Sequence, residues 1–458
     1  MGAVREIMET QSQLSADRPP IYVADFVTGG NHIGLSRYNK NWRVQRRLAH
    51  ELLAQSACNK YIPIQEAESR QLAHALLHDP KDFYMHISRY SFSVILSILF
   101  GKRAPHPKTR DISDFYKMEK QWHGVLAPAP GQTPSIRVLN LGAVPPIELL
   151  PFLKYIPKMF AKWKAEAESV RDMQQEIYSR LLDEVREQST SGTQTGCFME
   201  QILARKESTE LSNSQLSYLG GALIEGSAGT TTAWIKFFVM AMSTHLDVQK
   251  KAHDELDRVI GNARMPKLGD LASLPYLQAV IKEVHRWRPI GPLAIPHATL
   301  GDIYYQRYRI PPETTLFMNV WGISHDPDRY DRPEEFWPDR WIQHKYGLKH
   351  DSTHPNSNPP WFGVGKRACP GANLAQNSLA ISTMSLLWGF SFQPEVDRYT
   401  GKPIKIDVFS FSEGLEMSPE EFRCQISPRS SYHADIIEHE FTAAAAELKQ
   451  YECETQVE

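Results

Sequence analysis

One cysteine of the chain has neighbours suited to making it a metal ligand. Cys369 lies within the run Phe362-Gly363-Val364-Gly365-Lys366-Arg367-Ala368-Cys369-Pro370-Gly371. The glycines before it permit a tight loop, and the helix predicted from Gly371 directs backbone N–H groups and its dipole towards the sulfur. Both features are expected to lower the pKa of the thiol. A thiolate is the axial ligand with which a haem iron activates oxygen.

The spacing around this cysteine favours a haem loop over the alternative, a small apolar side chain buried near a turn. The run resembles the F-x-x-G-x-R-x-C-x-G loop of the cytochrome P-450 superfamily. That resemblance implies a mainly α fold with minor β structure, formed as a single large haem-binding domain. It also implies that Cys369 ligates haem b and that Phe362 covers the sulfur. Arg367 would bind a haem propionate, and the following helix would begin at Gly371.

Two further motifs occur in the order expected for that superfamily. Glu283 and Arg286 match its E-x-x-R pair, and residues three apart lie on one face of a helix. Arg340 belongs to a second run, Pro333-Glu334-Glu335-Phe336-Trp337-Pro338-Asp339-Arg340-Trp341, which resembles the P-x-x-F-x-P-x-R-W loop. An exposed pair would contribute little stability. The resemblance instead implies a buried triad of Glu283, Arg286 and Arg340 that locks the cysteine region.

Candidate propionate ligands lie at two other places. The run Trp42-Arg43-Val44-Gln45-Arg46 resembles the W-x-x-x-R helix of the superfamily, although by itself it is typical of any amphipathic helix with basic residues outward. Together with the other motifs it predicts that Trp42 and Arg46 bind a propionate. His297 follows Ile295-Pro296, where the superfamily often has another propionate donor.

The segment Glu225-Gly226-Ser227-Ala228-Gly229-Thr230-Thr231 lies in the middle of a predicted helix. Glycine costs about 1 kcal/mol there, which favours a close approach to a ligand or a bulge over simple close packing. The segment resembles the A/G-G-x-D/E-T-T stretch on the oxygen side of the haem, which makes Thr230 a catalytic residue. Gly229 replaces the usual acid. Three outcomes stay open: a relay through Glu225 and water, inefficient oxygen activation, or a different chemistry.

Hydrophobic periodicity predicts helices over residues 42–53, 84–101, 154–188, 212–245, 247–260, 274–287 and 371–390, with short strands over 295–318 and 405–426. Residues 127–151 are rich in proline and glycine and predict a loop. The P-450 domain is predicted over residues 3–428 and a tail over 429–458, of which 442–451 forms a marginal helix or frays. The resemblance implies that the anchor, first helix and first strands of eukaryotic relatives are missing before Trp42, as expected of a truncated gene model or a divergent remnant.

Composition excludes several classes of protein. A net charge of −2 gives no global attraction to nucleic acid. The five cysteines form no C-x-x-C pair, which disfavours a zinc site or a disulfide framework. No run of about 18 apolar residues is present to span a membrane. The resemblance implies that full-length relatives are anchored to the endoplasmic reticulum and face the cytoplasm. A G-x-S-x-G elbow and a G-x-G-x-x-G loop are both lacking, so hydrolase and dinucleotide-binding functions are not supported.

The resemblance implies a monomeric haem-thiolate monooxygenase, most like members from filamentous fungi that act in secondary metabolism. Its partners would be dioxygen, an apolar small molecule and an NADPH–cytochrome P-450 reductase. Ile290, Leu293 and Phe411 are the candidates for lining the substrate pocket. Two alternatives stay open. One is an enzyme that uses peroxide or catalyses a rearrangement, as Gly229 allows, and the other is an inactive haem-binding relic.

Basic residues near the cysteine predict where the reductase would dock. Arg43, Arg46, Arg47 and Lys366 would make that side of the haem positive. A positive surface suits an acidic flavoprotein, although basic residues on a helix are usually a solvated face.

Overall fold

A computed structural model describes residues 1–126, 147, 150–349, 358–412 and 414–452. After a short π-helix, Val4–Thr10, its α-helices are α1 (Tyr22–Thr28), α2 (Lys40–Leu52), α3 (Gln55–Cys58), α4 (Ile62–His78), α5 (Phe83–Phe100), α6 (Arg110–Leu126), α7 (Lys162–Ser191), α8 (Phe198–Leu203), α9 (Asn213–Thr244), α10 (Leu246–Val259), α11 (Pro275–Trp287), α12 (Val320–Ser324), α13 (Arg340–Gln343), α14 (Ala372–Gly389) and α15 (Ser431–Leu448). The strands are β1 (His297–Ala298), β2 (Ile303–Tyr305), β3 (Tyr308–Ile310), β4 (Thr315–Leu316), β5 (Phe390–Pro394) and β6 (Cys424–Pro428). Single 3₁₀ turns connect several of them.

Helix α9 forms the centre of the molecule because most of its surface is apolar and buried. It begins with a capping box: the Gln215 N–H donates to the Ser212 hydroxyl over 3.2 Å, and the Ser212 N–H donates to the Gln215 side chain over 2.8 Å. The helix packs against α5, α7 and α14. Gly220 and Gly221 allow this close approach, since a Cβ atom on either would collide with Phe100 or Tyr178.

The β structure is limited to three two-stranded antiparallel sheets in the described part of the chain. β1 pairs with β4, β2 with β3 and β5 with β6, in registers that place Ile303 opposite Ile310 and Phe392 opposite Ile426. The strands predicted over 295–318 are confirmed. The strand prediction over 405–426 is largely wrong, because β6 begins only at Cys424 and its partner β5 directly follows α14.

The predicted helices are present, with ends that differ by a few residues. The largest difference is α7, which begins at Lys162 instead of residue 154, because two short 3₁₀ turns precede it. Most of the loop predicted over 127–151 lies outside the described residues. The expected fold class, mainly α with minor β in a single domain, is confirmed.

Residues that the sequence assigned to a tail form helix α15, which packs along α4. Ile437 is completely buried, and Arg70 donates to the carboxylate of Glu440 over 3.0 Å. The frayed or marginal helix expected over 442–451 is instead the end of this docked helix. An apolar residue on the inner face and an ion pair at its edge explain why the segment is ordered.

One helical stretch among the described residues, Pro80–Phe100, is long and apolar enough to cross a membrane. Of its apolar window, 78% is buried inside the protein. Burial of that extent is typical of a core helix, and α5 packs against both α4 and α9.

Candidate functional site

The loop that carries Cys369 is closed by one short backbone hydrogen bond. The Cys369 N–H donates to the carbonyl oxygen of Phe362 over 2.7 Å. Gly363 and Gly365 have φ angles of +71° and +61°, a conformation that residues with a side chain rarely adopt. A Cβ atom on Gly365 would also collide with the carbonyl oxygen of Met8 in the π-helix. The predicted tight glycine loop is confirmed.

The thiol of Cys369 lines an internal space. The side chain of Cys369 is accessible to small molecules. Protein atoms nevertheless surround the thiol, and the resulting desolvation raises its pKa. A hydrogen bond from the Gly371 N–H and the charge of Arg46 oppose that rise. The sequence predicted a lowered pKa, and for the protein alone this is wrong, because desolvation outweighs the helix terminus and the cation.

Two arginines connect neighbouring segments to the cysteine loop. Arg46 of α2 donates to the carbonyl oxygen of Ala368 over 2.5 Å. Arg367 donates to the carbonyl oxygens of Ala16 and Ser36 over 2.7 and 2.9 Å. Each guanidinium has five N–H donors, so these contacts position the groups and leave donors for a further ligand.

A third arginine, Arg18, lies in the same region. It donates to the carbonyl oxygens of Ile295 and Pro296 at 2.7 Å each, and to that of Gly34 at 2.9 Å. Only 3% of its surface is exposed. Arg18 thereby connects the N-terminal segment to the residues just before β1.

The three arginines carry more positive charge than their surroundings balance. Burial is the largest cause that lowers the pKa of each: to about 9 for Arg367, well below the usual range for Arg18, and in the same direction for Arg46. Repulsion acts in the same direction: Arg367 and Arg46 lower the pKa of Arg18, and Arg46 lowers that of Arg367. Asp17, the nearby carboxylate, already accepts a 2.7 Å hydrogen bond from Arg37. The cluster of Arg18, Arg46 and Arg367, called the basic cluster below, is therefore suited to an anion.

Trp42 and His297 lie beside the basic cluster, with hydrogen bonds to the backbone. The Trp42 indole N–H donates to the carbonyl oxygen of Ile33 over 2.9 Å, and the Arg367 guanidinium stacks 3.9 Å from its ring centre. The Nδ1 atom of His297 is 2.7 Å from the carbonyl oxygen of Ser15. Burial and the neighbouring arginines lower the pKa of His297 to about 3, so its ring is neutral at physiological pH.

Phe362 contributes its backbone to the loop, while its ring packs against helix α11. The ring centre lies 5.4 Å from that of His285, edge to face, and Trp361 stacks on the same imidazole at 5.1 Å. The described contacts thus give Phe362 a packing partner on α11.

The predicted ion-pair triad is assembled and completely buried. Arg286 donates to both carboxylate oxygens of Glu283, at 2.8 and 3.0 Å, and Arg340 donates to Glu283 over 3.2 Å. All three side chains are 0% exposed. Glu283 also accepts from the Trp337 backbone and the Trp341 indole, each over 2.8 Å. The carboxylate is therefore saturated, which is the condition for a buried ion pair to be stable.

Helix α9 continues without interruption through the segment that contains Thr230. The Thr230 hydroxyl donates to the carbonyl oxygen of Gly226 over 2.8 Å, the usual bond to the preceding turn. The proposed bulge is therefore absent. A Cβ atom on Gly226 would meet no atom within 4 Å, so this turn of an otherwise buried helix borders open space.

Glu225 points away from that open space into a polar network. Its carboxylate accepts a 3.1 Å bond from the Gln174 amide and a shorter one from the Tyr178 hydroxyl, and it lies 3.0 Å from Nε2 of His32. Only 9% of Glu225 is exposed. Its oxygens are thus occupied by side chains of α7 and of the segment before α2.

The candidate pocket residues lie on two segments that are hydrogen-bonded together. The Met417 N–H donates to the carbonyl oxygen of Ile290 over 2.7 Å. Ile290 and Phe411 are partly buried against the core, and the Phe411 ring centre lies 6.0 Å from that of Trp321. Leu293 is half-buried. Phe411 therefore has a packing role whether or not it also meets a ligand.

A family model described as Cytochrome P-450 matches residues 2–410. The chain belongs to the cytochrome P-450 family. It is 37% identical over 451 residues to a cytochrome P-450 monooxygenase of Armillaria gallica, in an alignment that covers 98% of this chain and 83% of the relative. The monooxygenases macC of Penicillium terrestre and patI of Aspergillus clavatus are 32% and 33% identical, with the same coverage of both chains.

A solved structure of a zebrafish cytochrome P-450 with progesterone has a similar fold. The TM-score is 0.74 at 20% sequence identity, and the match covers 93% of this chain and 92% of that one. This cytochrome P-450 is accordingly an oxidoreductase of the haem-dependent monooxygenase class, as its fungal relatives are named.

The residues of this P-450 fit a haem in two respects. Cys369 presents an accessible sulfur within a loop closed by the backbone, and coordination to iron would remove its proton. The basic cluster offers buried guanidinium groups without a carboxylate of their own, which is what two propionates would neutralise.

The basic surface predicted for a reductase is present only in part. Arg43 and Arg47 are exposed on α2, and Lys366 is half-buried with its ammonium group 3.4 Å from the Tyr38 hydroxyl. Arg46 does not contribute, because it turns inward to Ala368 and belongs to the basic cluster.

Sequence reasoning missed three residues of this region: Arg18, Glu119 and Glu416. Glu119 could have been found, because it lies four residues after Phe115 and three before Trp122, on the buried face of α6. A carboxylate at such a position needs an explanation. Arg18 and Glu416 lie in irregular segments, where no periodicity indicates burial.

Proposed function

We propose that Cys369 is the axial thiolate of a haem b group and that the protein is a haem-thiolate monooxygenase with an apolar organic substrate. The observation that carries this proposal is the accessible thiol of Cys369 in a loop that contains Arg367 and accepts a hydrogen bond from Arg46. When bound, the haem supplies the chemistry that reduces dioxygen and transfers one of its oxygen atoms to the substrate.

The chain's own residues would hold that group from two sides. The Gly371 N–H and Arg46 favour the ionised form of the Cys369 sulfur. Arg18 and Arg367 bind the propionates through the guanidinium donors that the backbone carbonyls leave over. Trp42 contributes by positioning Arg367, on which its ring stacks, and His297 lies beside the cluster as a further candidate for a propionate.

The oxygen side is formed by α9. The open space beside Gly226 gives a small molecule access to the helix, and the Thr230 hydroxyl lies one turn further along. The Thr230 hydroxyl can donate its proton and accept another one, because a hydroxyl group is both a hydrogen-bond donor and an acceptor. Ile290, Leu293 and Phe411 supply apolar surface that would exclude water around a substrate.

Electrons would come from a flavoprotein reductase that uses NADPH. The exposed Arg43 and Arg47 support docking of an acidic partner on the side of α2. A substrate from fungal secondary metabolism is supported by the fungal origin of the similar monooxygenases.

One observation favours a second candidate function. Gly229 stands where the family usually has an acid, and Glu225 is occupied by other side chains. An enzyme driven by peroxide, or one that rearranges its substrate, needs no proton relay for dioxygen. Turnover that requires the reductase would exclude this alternative, whereas turnover with peroxide alone would favour it.

The central proposal is tested by the carbon monoxide difference spectrum of the reduced protein, expressed with haem supplied. The far-red-shifted Soret band of a thiolate complex is expected in the wild type and in a control, Cys424→Ala, which alters a cysteine of β6. It is expected to be lost in Cys369→Ala. A folded wild-type protein without a haem band, or an unchanged band in Cys369→Ala, would overturn the proposal.

A further inference from the structure

Gly229 has two carboxyl groups directly beside it. A Cβ atom built on this glycine would lie 2.9 Å from Oε1 of Glu119 and 3.3 Å from Oε2 of Glu416. Glu119 belongs to α6, and Glu416 belongs to the turn before β6. Two segments that are distant in sequence therefore each place a carboxyl group next to the position that the Cβ atom of an acidic residue at position 229 would occupy.

Both carboxyl groups are free to interact with a ligand or a proton carrier. Within the described part of the chain, neither makes a hydrogen bond or an ion pair. Glu119 is only 9% exposed. Glu416 is half-buried. Carboxyl groups that are largely removed from water and lack a partner are destabilising, which supports a functional role for this pair.

Glu225 cannot take this role in its observed position. Both of its oxygens are engaged, one by Gln174 and Tyr178 and the other beside His32. Moving a proton through Glu225 would require breaking that network. Glu119 and Glu416 need no such rearrangement.

We propose that Glu119, together with Glu416, provides from outside α9 the proton-relay carboxyl group that Gly229 lacks. This inference rests on the proposed function. A carboxylic acid at Glu119 gives its proton to the Thr230 hydroxyl or to a water molecule beside Gly229, and the resulting carboxylate takes a proton back from Glu416. The chain undergoes no net oxidation, because each step only breaks and forms an O–H bond.

The surroundings of the pair raise the pKa of both carboxyl groups. Burial, then repulsion by Glu416 and Glu225, raises the pKa of Glu119 well above its ordinary value. Burial and Glu225 raise the pKa of Glu416 to about 7. Lys236 of α9 acts in the opposite direction on Glu119, and burial lowers the pKa of that lysine to about 8. A pKa near the working pH suits Glu416 to pass a proton on to Glu119.

Infrared spectroscopy of the haem-free protein tests, without any turnover, whether Glu119 holds a proton. At neutral pH the wild type is expected to show a protonated-carboxyl C=O band that shifts in deuterated water and is lost in Glu119→Gln. Asp114→Asn, which alters an acid of α6 paired with Arg110 over 3.3 Å, should leave the band unchanged. A wild-type spectrum without the band, or a band that persists in Glu119→Gln, would overturn the inference.

The relay itself is tested with the haem-loaded protein, a flavoprotein reductase and NADPH. Glu119→Gln is expected to slow oxygen-dependent NADPH consumption by about 10²-fold, the usual contribution of a positioned acid. The wild-type rate should fall as pH rises through the titration of the pair, and the variant should lose that dependence. Adding Gly229→Asp to Glu119→Gln should restore most of the rate, because it replaces the missing carboxyl group on α9.

The outcomes separate this inference from the proposed function. If Glu119→Gln keeps the thiolate carbon monoxide band and the wild-type rate, the relay is wrong and the proposed function stands. A rate that falls without rescue by Gly229→Asp would mean a merely structural role and would also overturn the relay. If the wild type binds no haem, the proposed function fails, and the infrared measurement alone decides whether Glu119 holds a proton.

Discussion

Two groups of buried arginines in this protein differ in how their charge is balanced. In the triad, Arg286 and Arg340 share the carboxylate of Glu283, and every oxygen of that carboxylate is hydrogen-bonded. In the basic cluster, the guanidinium groups are held by backbone carbonyl oxygens, and the nearby Asp17 is paired with Arg37.

The difference separates a structural element from a binding element. A buried charge is stable only when it is paired, and the triad pairs its charges within the chain. The basic cluster has no carboxylate of its own, and we propose that the propionates of a haem balance its charge. The arginines of both groups lie away from bulk solvent, to different degrees, and the partner of each charge is what distinguishes the two groups.

The largest expected effect comes from breaking the triad. Glu283→Ala would leave Arg286 and Arg340 buried without a counter-charge, and we expect a loss of about 3–5 kcal/mol in the free energy of unfolding. Chemical denaturation, or the soluble yield if the variant fails to fold, measures this loss. Glu335→Ala is the matched control, because it removes an exposed glutamate that pairs with Arg332 on the neighbouring segment. That pair should contribute less than about 1 kcal/mol. Equal losses in the two variants would mean that burial of the triad does not matter.

A smaller effect, confined to the bound state, is expected in the basic cluster. Arg46→Gln removes one charge-assisted donor and should weaken haem retention by about 10-fold or more, as hydrogen bonds to charged groups contribute about 1.5–3 kcal/mol. The stability of the haem-free protein should change much less. The rate of haem transfer to a scavenger protein measures the first quantity and chemical denaturation the second. Arg47→Gln, on the exposed face of the same helix, should alter neither. A loss of stability as large as that in Glu283→Ala would remove the contrast between the two groups.

The smallest effect is a pH dependence at His297. Because burial and the arginines lower the pKa of His297 to about 3, the unfolded chain binds a proton more readily than the folded chain below about pH 6.5. The stabilising contribution is therefore complete above that pH and is lost as pH falls towards 3. Between about pH 7.5 and about pH 6 the loss should be roughly 1 kcal/mol. Denaturation curves should show this loss in the wild type and a smaller one in His297→Gln. Bound haem should also reduce this loss of stability, if its propionates offset the charge of the arginines. An unchanged pH dependence of stability in His297→Gln would contradict the assignment of a neutral ring to His297.

Much of the fold and part of the site could be predicted from local sequence. The central helix was predicted over 212–245 and spans Asn213–Thr244, because its apolar run and its Ser212 cap are local signals. The glycine loop before Cys369 and the pair of Glu283 and Arg286 were likewise encoded at short spacing. Strands over 405–426 were not predictable in this way, since β6 depends on pairing with β5, about 30 residues away along the chain.

By itself, the sequence determined the glycine loop around Cys369, the pair of Glu283 and Arg286, and the glycine at position 229, because each depends on residue types at fixed short offsets. Only the tertiary structure decided where charge is left unbalanced. It placed Arg18 in the basic cluster and turned Arg46 inward, and it occupied Glu225 while it brought Glu119 and Glu416 to Gly229. These outcomes depend on contacts between segments far apart in the chain, and on desolvation, which no local pattern records. The same desolvation reversed the predicted direction of the Cys369 pKa.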